Sequence, residues 1–146
     1  MTKLLRGVHL VCGLIALGIL APSYAEQKVT AGDHEIHYII FPTTFLRPNI
    51  ASQYDIARGK NRSLVNVSVL NKDGNAVRAD VTGRSRNLLE QGQTLNFSMV
   101  EEGSAVYYLA LLSHGDEEVH RVEIEVELAD GTHKTISMQQ KLYWEE

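Results

Sequence analysis

Cysteine is nearly missing: the 146-residue chain has one, Cys12, near the start of an amino-terminal apolar run from Leu10 to Leu20. Lys3, Arg6 and His9 precede that run and Ser23-Tyr24-Ala25 follows it. A basic start, roughly eleven apolar residues and small side chains three and one positions before a cut form the pattern of a secretory signal peptide. The run is too short for a membrane span, which needs about 20 residues. Residues 1–25 are expected to be removed after Ala25, and Cys12 goes with them; it also lies too early for a lipoprotein anchor. The processed chain then has no disulfide framework, no thiolate metal site and no cysteine nucleophile, although its destination, the periplasm, is oxidising.

Other absences narrow the function further. There is no G-x-S-x-G elbow, no H-E-x-x-H helix and no glycine-rich phosphate loop, so no enzymatic reaction is specified and no cofactor is implied. There is no low-complexity tract, linker or internal repeat, and Glu26 to Glu146, 121 of the 146 residues, is an ordinary length for a single domain with its own core. Basic residues are in the minority. Without Lys3 and Arg6 the chain has 12 against 18 acidic residues, a formal charge of minus 6, which does not support electrostatic attraction to nucleic acid or anionic lipid.

What is present is alternation. In His34 to Phe41, Ile36, Tyr38 and Ile40 share a face; in Leu64 to Leu70, Val65, Val67 and Val69 do, with Asn66 and Ser68 opposite. Asn71-Lys72-Asp73-Gly74-Asn75 has turn chemistry and leads to Val77, Ala79 and Val81, so a hairpin is expected there, interrupted at Gly83. Leu95, Phe97 and Met99 read as one strand. Ala105 to Leu112 is apolar on both faces, which suits a strand inside a sheet and covered on both sides. In the last hairpin Val122, Ile124, Val126 and Leu128 share even parity with Ile136, Met138 and Leu142. A two-residue Asp130-Gly131 turn would mix the faces, whereas a loop of Ala129, Asp130 and Gly131 sets Ile124 against Ile136, Val122 against Met138 and Glu127 against His133, with Gly131 in a left-handed conformation. Glu123, Glu125 and Glu127 then form a solvated outer face. Seven or eight such strands with almost no helical periodicity predict an all-β, antiparallel, broadly immunoglobulin-like sandwich, with a barrel as the competitor. Tyr107 would be its corner tyrosine.

Chemistry-bearing residues are few. His34 and His37 point to opposite faces of a strand and do not chelate as an H-x-H pair would. His114, Asp116, Glu117 and His120 gather donors at a turn, the alternative reading being a metal or small-ligand site at His114, Asp116 and His120. His133 is a cross-strand partner for Glu127.

The stretch that breaks the two-residue period is FPTTFLRPNIASQYDIARGKNR, residues 41–62. Pro42 ends a strand, Pro48 blocks continuation, and Asn49 to Tyr54 fits one or two short helical turns. A connection of this length is either functional or a structural element in its own right. As a cap, Phe45, Leu46, Ile50, Tyr54 and Ile56 would close one end of the sandwich. As a binding loop, Thr43, Thr44, Phe45, Arg47, Tyr54, Arg58, Lys60, Asn61 and Arg62 supply hydroxyls, aromatic surface and positive charge.

HYIIFPTTFLRPNIASQYDIARGKNRSLVNVSVL, with EEGSAVYYLALL and EEVHRVEIEV downstream, resembles a family of small exported bacterial proteins known only as a domain of unknown function. The resemblance spans essentially the whole processed chain and implies export and an all-β domain; it carries over no catalytic residue. Thr43-Thr44-Phe45-Leu46 and Lys60-Asn61-Arg62 match its signature. The expected function is that of a periplasmic binding or accessory module that meets an envelope protein through residues 41–62, with no nucleic acid and no membrane span after processing.

Overall fold

Two antiparallel sheets face each other across one apolar core in the computed structural model, which describes residues 24–146. The expected signal peptide lies almost entirely outside the described residues. The strands are β1 (Gln27–Ala31), β2 (His34–Pro42), β3 (Arg62–Leu70), β4 (Ala79–Asn87), β5 (Gly92–Leu95), β6 (Ser98–Glu102), β7 (Ala105–Ser113), β8 (Glu118–Leu128) and β9 (His133–Leu142). One sheet has the order β1-β2-β3-β7-β6 and the other β5-β4-β8-β9. Between β2 and β3 lie a 3-10 turn, Thr43–Phe45, and a short helix α1, Pro48–Gln53. No helix among the described residues is long and apolar enough to cross a membrane.

The core follows side-chain parity. Ile36, Tyr38 and Ile40 meet Val65, Val67 and Val69, with Tyr108, Ala110 and Leu112 beside them and Val122, Ile124, Val126, Ile136 and Leu142 opposite. The β8–β9 hairpin has the register that parity dictates: Ile124 faces Ile136, Val122 faces Met138 and Glu127 faces His133. Gly131 has φ +88°, and its N–H donates to the Leu128 carbonyl at 2.9 Å, closing the bulged loop that a residue with Cβ would strain.

Four expectations are corrected. The 71–75 turn does not join a hairpin: after one bridge, Leu70 to Ala76, the chain leaves β3 and β4 pairs with β8 in the other sheet. Turn chemistry reverses the chain equally well in a hairpin or a crossover, and Val77, Ala79 and Val81 need only an apolar partner, whichever sheet supplies it. Leu95, Phe97 and Met99 are not one strand. The chain switches sheets there, β5 pairing with β4 and β6 with β7. Gly83 does not interrupt β4; a Cβ on it would come within 3.0 Å of the Glu123 carbonyl and of the Phe97 ring, so glycine lets that aromatic lie flat on the strand. Finally, Tyr108 rather than Tyr107 reaches across the core, accepting a hydrogen bond from the Ala79 N–H at 2.8 Å, while Tyr107 lies on the outer face.

Candidate functional site

The pairing registers bring one set of connections to a common end. β2 finishes at Pro42 opposite Ser63, β3 begins beside the end of β7 at Ser113, β4 finishes at Asn87 opposite His120, and β8 begins at Glu118 opposite Leu142. Residues 43–61, 88–91, 114–117 and 143–146 all emerge there. Among the described residues, four of the five exposed large apolar side chains, Phe45, Leu88, Leu89 and Trp144, belong to this end.

The 41–62 segment is held by its own polar groups. Thr43 is fully buried, and its Oγ1 accepts from the Gly59 N–H at 3.0 Å and is shared between the Gly59 and Arg62 carbonyls at 3.1 and 3.0 Å. Thr43 is therefore a latch and not a contact group, because its hydroxyl is engaged within the segment and has no exposure. Thr44 donates to the Glu145 carbonyl, Arg58 to the Thr44 carbonyl and Arg62 to the Arg58 carbonyl. Asn61 contributes its carbonyl, which accepts from the His114 N–H.

Beyond α1 the chain turns onto a sheet face, so Tyr54 and Ile56, two of the five residues of the cap alternative, cover β3 and β7 rather than the end of the sandwich. Tyr54 and Ile56 line a shallow cleft with Leu64, Leu109 and Leu111 on the outer face of β3 and β7, and the Tyr54 hydroxyl donates to Glu102 at 2.5 Å. This is the second cover that the two-sided apolar strand Ala105 to Leu112 required. The display side of the segment is Phe45, 58 % exposed, with Arg47, Arg58 and Lys60 exposed around it. Lys60 lies 4.8 Å from the centre of the Trp144 ring.

Behind this surface is a polar strut between the sheets. His114 and His120 meet with ring centres 6.4 Å apart. The His114 Nδ1–H donates to the Gly115 carbonyl at 2.8 Å, so its Nε2 accepts from the Ser63 hydroxyl at 2.9 Å. The His120 Nε2–H donates to the Glu118 carboxylate, and its Nδ1 lies 2.7 Å from the Ser85 hydroxyl. All four ring nitrogens thus have oxygen partners. Asp116 does not join the imidazoles; it accepts from the Trp144 backbone N–H at 3.0 Å, while the indole N–H donates to the His114 carbonyl at 3.3 Å. Among the described residues no trio of His, Cys, Asp or Glu is arranged to hold a metal ion. Ser85, His120 and Glu118 have the residue types of a hydrolytic triad, but Ser85 is buried and the imidazole is turned so that Nδ1 meets the serine. His34 and His37 stay apart: His37 bonds Glu26 and Glu35 on the outer face.

Ser63, Ser85 and Glu118 were not singled out from the sequence, yet parity contains the first two. Ser63 continues the Val65, Val67 and Val69 face inward, and Ser85 continues the face of Val77, Ala79 and Val81. A polar residue at the end of a core-facing series marks a buried partner.

The strut makes the fold acid-sensitive. Burial lowers the His114 pKa from its ordinary 6.5, against the opposing pull of the Gly115 carbonyl. Between those two values the unfolded chain binds a proton that the folded chain does not, so stability falls as pH drops below about 6.5. Burial pushes the Glu118 carboxyl up, but hydrogen bonds from His120 and the Gly115 N–H outweigh it and hold the pKa below 4.5. That contribution is complete above 4.5 and is lost as pH falls through the lower, folded value. Thermal midpoints should decline first between pH 7 and 5.5 and again below 4.5. His114→Gln should flatten the upper limb and Glu118→Gln the lower; a parent midpoint unchanged from pH 7 to 5.5 would contradict the burial of a neutral His114.

No protein of curated function matches the chain. A solved DUF4426 family protein from Pseudomonas aeruginosa is 33 % identical, with a TM-score of 0.75 over 83 % of this chain and 97 % of its own. FetP from uropathogenic Escherichia coli, recombinantly expressed in the periplasm, is 11 % identical with a TM-score of 0.58 over 86 % of this chain and all of its own. A copper-bound variant of FetP is 12 % identical with a TM-score of 0.53 over 82 % and 95 %. At those identities FetP shares the fold alone. The Pseudomonas likeness reaches much further in sequence, and the family model described as "Domain of unknown function (DUF4426)" matches residues 28–145, so this chain belongs to the DUF4426 family.

Proposed function

We propose that the protein is a periplasmic binding module that contacts an envelope protein through the display side of residues 43–62 together with its carboxyl-terminal residues. The observation that carries this reading is the exposure of Phe45 at 58 % and Trp144 at 45 %, joined by the Thr44–Glu145 hydrogen bond, with Arg58 bonded to the Thr44 carbonyl, Lys60 over the Trp144 ring and Arg47 exposed two residues beyond Phe45. Aromatic side chains among guanidinium groups are the composition of interface hot spots, and a surface already ordered loses little conformational entropy on binding. The amino-terminal signal pattern supports the location.

Binding fits better than catalysis, since Ser85, the serine of the triad-like constellation with His120 and Glu118, is closed to solvent. A metal site at His114, Asp116 and His120 has less behind it, even with a copper-bound FetP variant sharing the fold, because both imidazoles are fully engaged and Asp116 is used elsewhere. The exported protein carrying Phe45→Ser and Arg47→Glu should keep its thermal midpoint and lose at least tenfold in recovery of its partner after chemical cross-linking in intact cells. Undiminished recovery with both substitutions would remove this surface from the account.

A further inference from the structure

The second exposed group at the loop-bearing end is the β4–β5 turn, where Leu88 is 56 % and Leu89 79 % exposed. The turn does not need these side chains to form. The Asn87 carboxamide oxygen accepts from the Leu89 and Gln91 N–H groups at 3.0 and 2.9 Å, its nitrogen donates to the Gln91 side chain at 2.7 Å, and the Glu90 N–H donates to the Asn87 carbonyl at 3.1 Å. Two leucines therefore stand at the tip of a fixed turn whose N–H groups at 89, 90 and 91 are satisfied internally.

One strand position behind them, Arg86 lies directly opposite Arg121, a like-charge pair that costs stability on a strand surface. The Glu90 carboxylate relieves it, 3.3 Å from Arg86 and 3.8 Å from Arg121. Within the turn Glu90 has φ +62°, a left-handed conformation unfavourable for a residue with Cβ. Arg84, about 7 Å further along the same face and paired with Glu123 at 2.9 Å, completes a groove of about 470 Å³ lined also by Gln139. Two guanidinium groups around an internal carboxylate form an anion clamp with a built-in occupant.

We propose that this tip docks on an anionic phospholipid surface, Leu88 and Leu89 entering the acyl boundary while a lipid phosphate displaces Glu90 from between Arg86 and Arg121. Three features favour lipid over an acidic protein. The leucines form a convex tip and not a pocket. The satisfied N–H groups allow the turn to enter a region of low polarity without leaving those donors unpaired. The arginines sit at headgroup depth behind the apolar tip, the amphipathic order of an interfacial anchor. The chain as a whole is acidic, and screening confines its repulsion to about 8 Å at physiological salt, so attachment depends on the leucines as much as on the arginines.

The test is co-sedimentation of the processed protein, recovered after export, with vesicles of phosphatidylethanolamine and phosphatidylglycerol, against vesicles of phosphatidylcholine alone. The wild type should prefer the anionic vesicles. Leu88→Ser with Leu89→Ser should weaken binding to them at least tenfold, Arg86→Gln with Arg121→Gln at least threefold, and Glu90→Gln should strengthen it, all with thermal midpoints near that of the parent. Equal binding by the double-serine variant, or no preference between the two vesicle types, would overturn the proposal. Binding of inorganic phosphate at the arginines without vesicle binding would reduce the site to an anion pocket and overturn the membrane assignment. A photoreactive residue at position 89 that captures a protein, with vesicles ignored, would assign the tip to a protein partner instead.

Discussion

Val67→Asp is expected to abolish cooperative folding or lower stability by more than about 4 kcal/mol, whereas Ser68→Asp should cost less than about 1 kcal/mol. Val67 is completely buried in the middle of β3, between Tyr38 of β2 and Tyr108 of β7. A carboxylate there has no cationic partner among the core residues and must remain charged in an apolar setting or fold protonated. Either outcome consumes much of a domain's ordinary margin of about 5–15 kcal/mol. Ser68, one residue later, points to the outer face opposite His37, where water reaches it. Urea or thermal unfolding of the two variants measures the difference. Equal shifts would mean that β3 does not bury the odd-numbered face, and the sandwich as described would be wrong.

Thr43→Val should cost about 2 kcal/mol, close to the price of leaving buried backbone groups unpaired, and should lower the thermal midpoint by several degrees. The substitution preserves shape but strips the Gly59 N–H, the Gly59 carbonyl and the Arg62 carbonyl of their shared partner. Those groups fix the return of the segment into β3 at Ser63, whose hydroxyl in turn meets His114. The loss should spread locally, with faster amide exchange at residues 59–62 and 114 while the centres of β3 and β8 stay protected. Thr44→Val removes one hydrogen bond to the partly exposed carboxyl-terminal strand extension and should cost less. If Thr43→Val were as mild as Thr44→Val, the buried hydroxyl would not be the latch.

The contrast between these residues explains how far the sequence could be read. The β8–β9 register followed from parity together with Gly131: four apolar residues on β8 and three on β9 require an even pairing sum, and a glycine in the left-handed position completes a three-residue loop. The crossover after Ala76 and the sheet switch at Phe97 did not, since alternation states which face is buried and never which sheet covers it. Gly83 looked like an interruption because an isolated glycine in a strand has two causes, a break or a close approach, and the approaching Phe97 ring comes from the other side of a switch. In the site, His120 was legible as a core-facing position once the Val122 series was extended back, and Ser63 likewise from Val65. The role of Thr43 was not legible, because its partners lie 16 and 19 residues away and meet it only when the segment closes. The same holds for Trp144, which the sequence placed at a terminus and the fold places over His114 and Asp116.

The resulting division of residues 41–62, a buried latch beneath an exposed aromatic and basic surface, makes one measurement decisive. Photoreactive residues placed singly at Phe45, Arg47 and Lys60 of the exported protein, with Glu125 on the outer face of β8 as the control, should give the same protein adduct at all three positions and none at the control when cells are irradiated. No adduct from the three display positions of a folded, exported protein, or equal labelling at Glu125, would contradict the contact surface on which the proposed function rests.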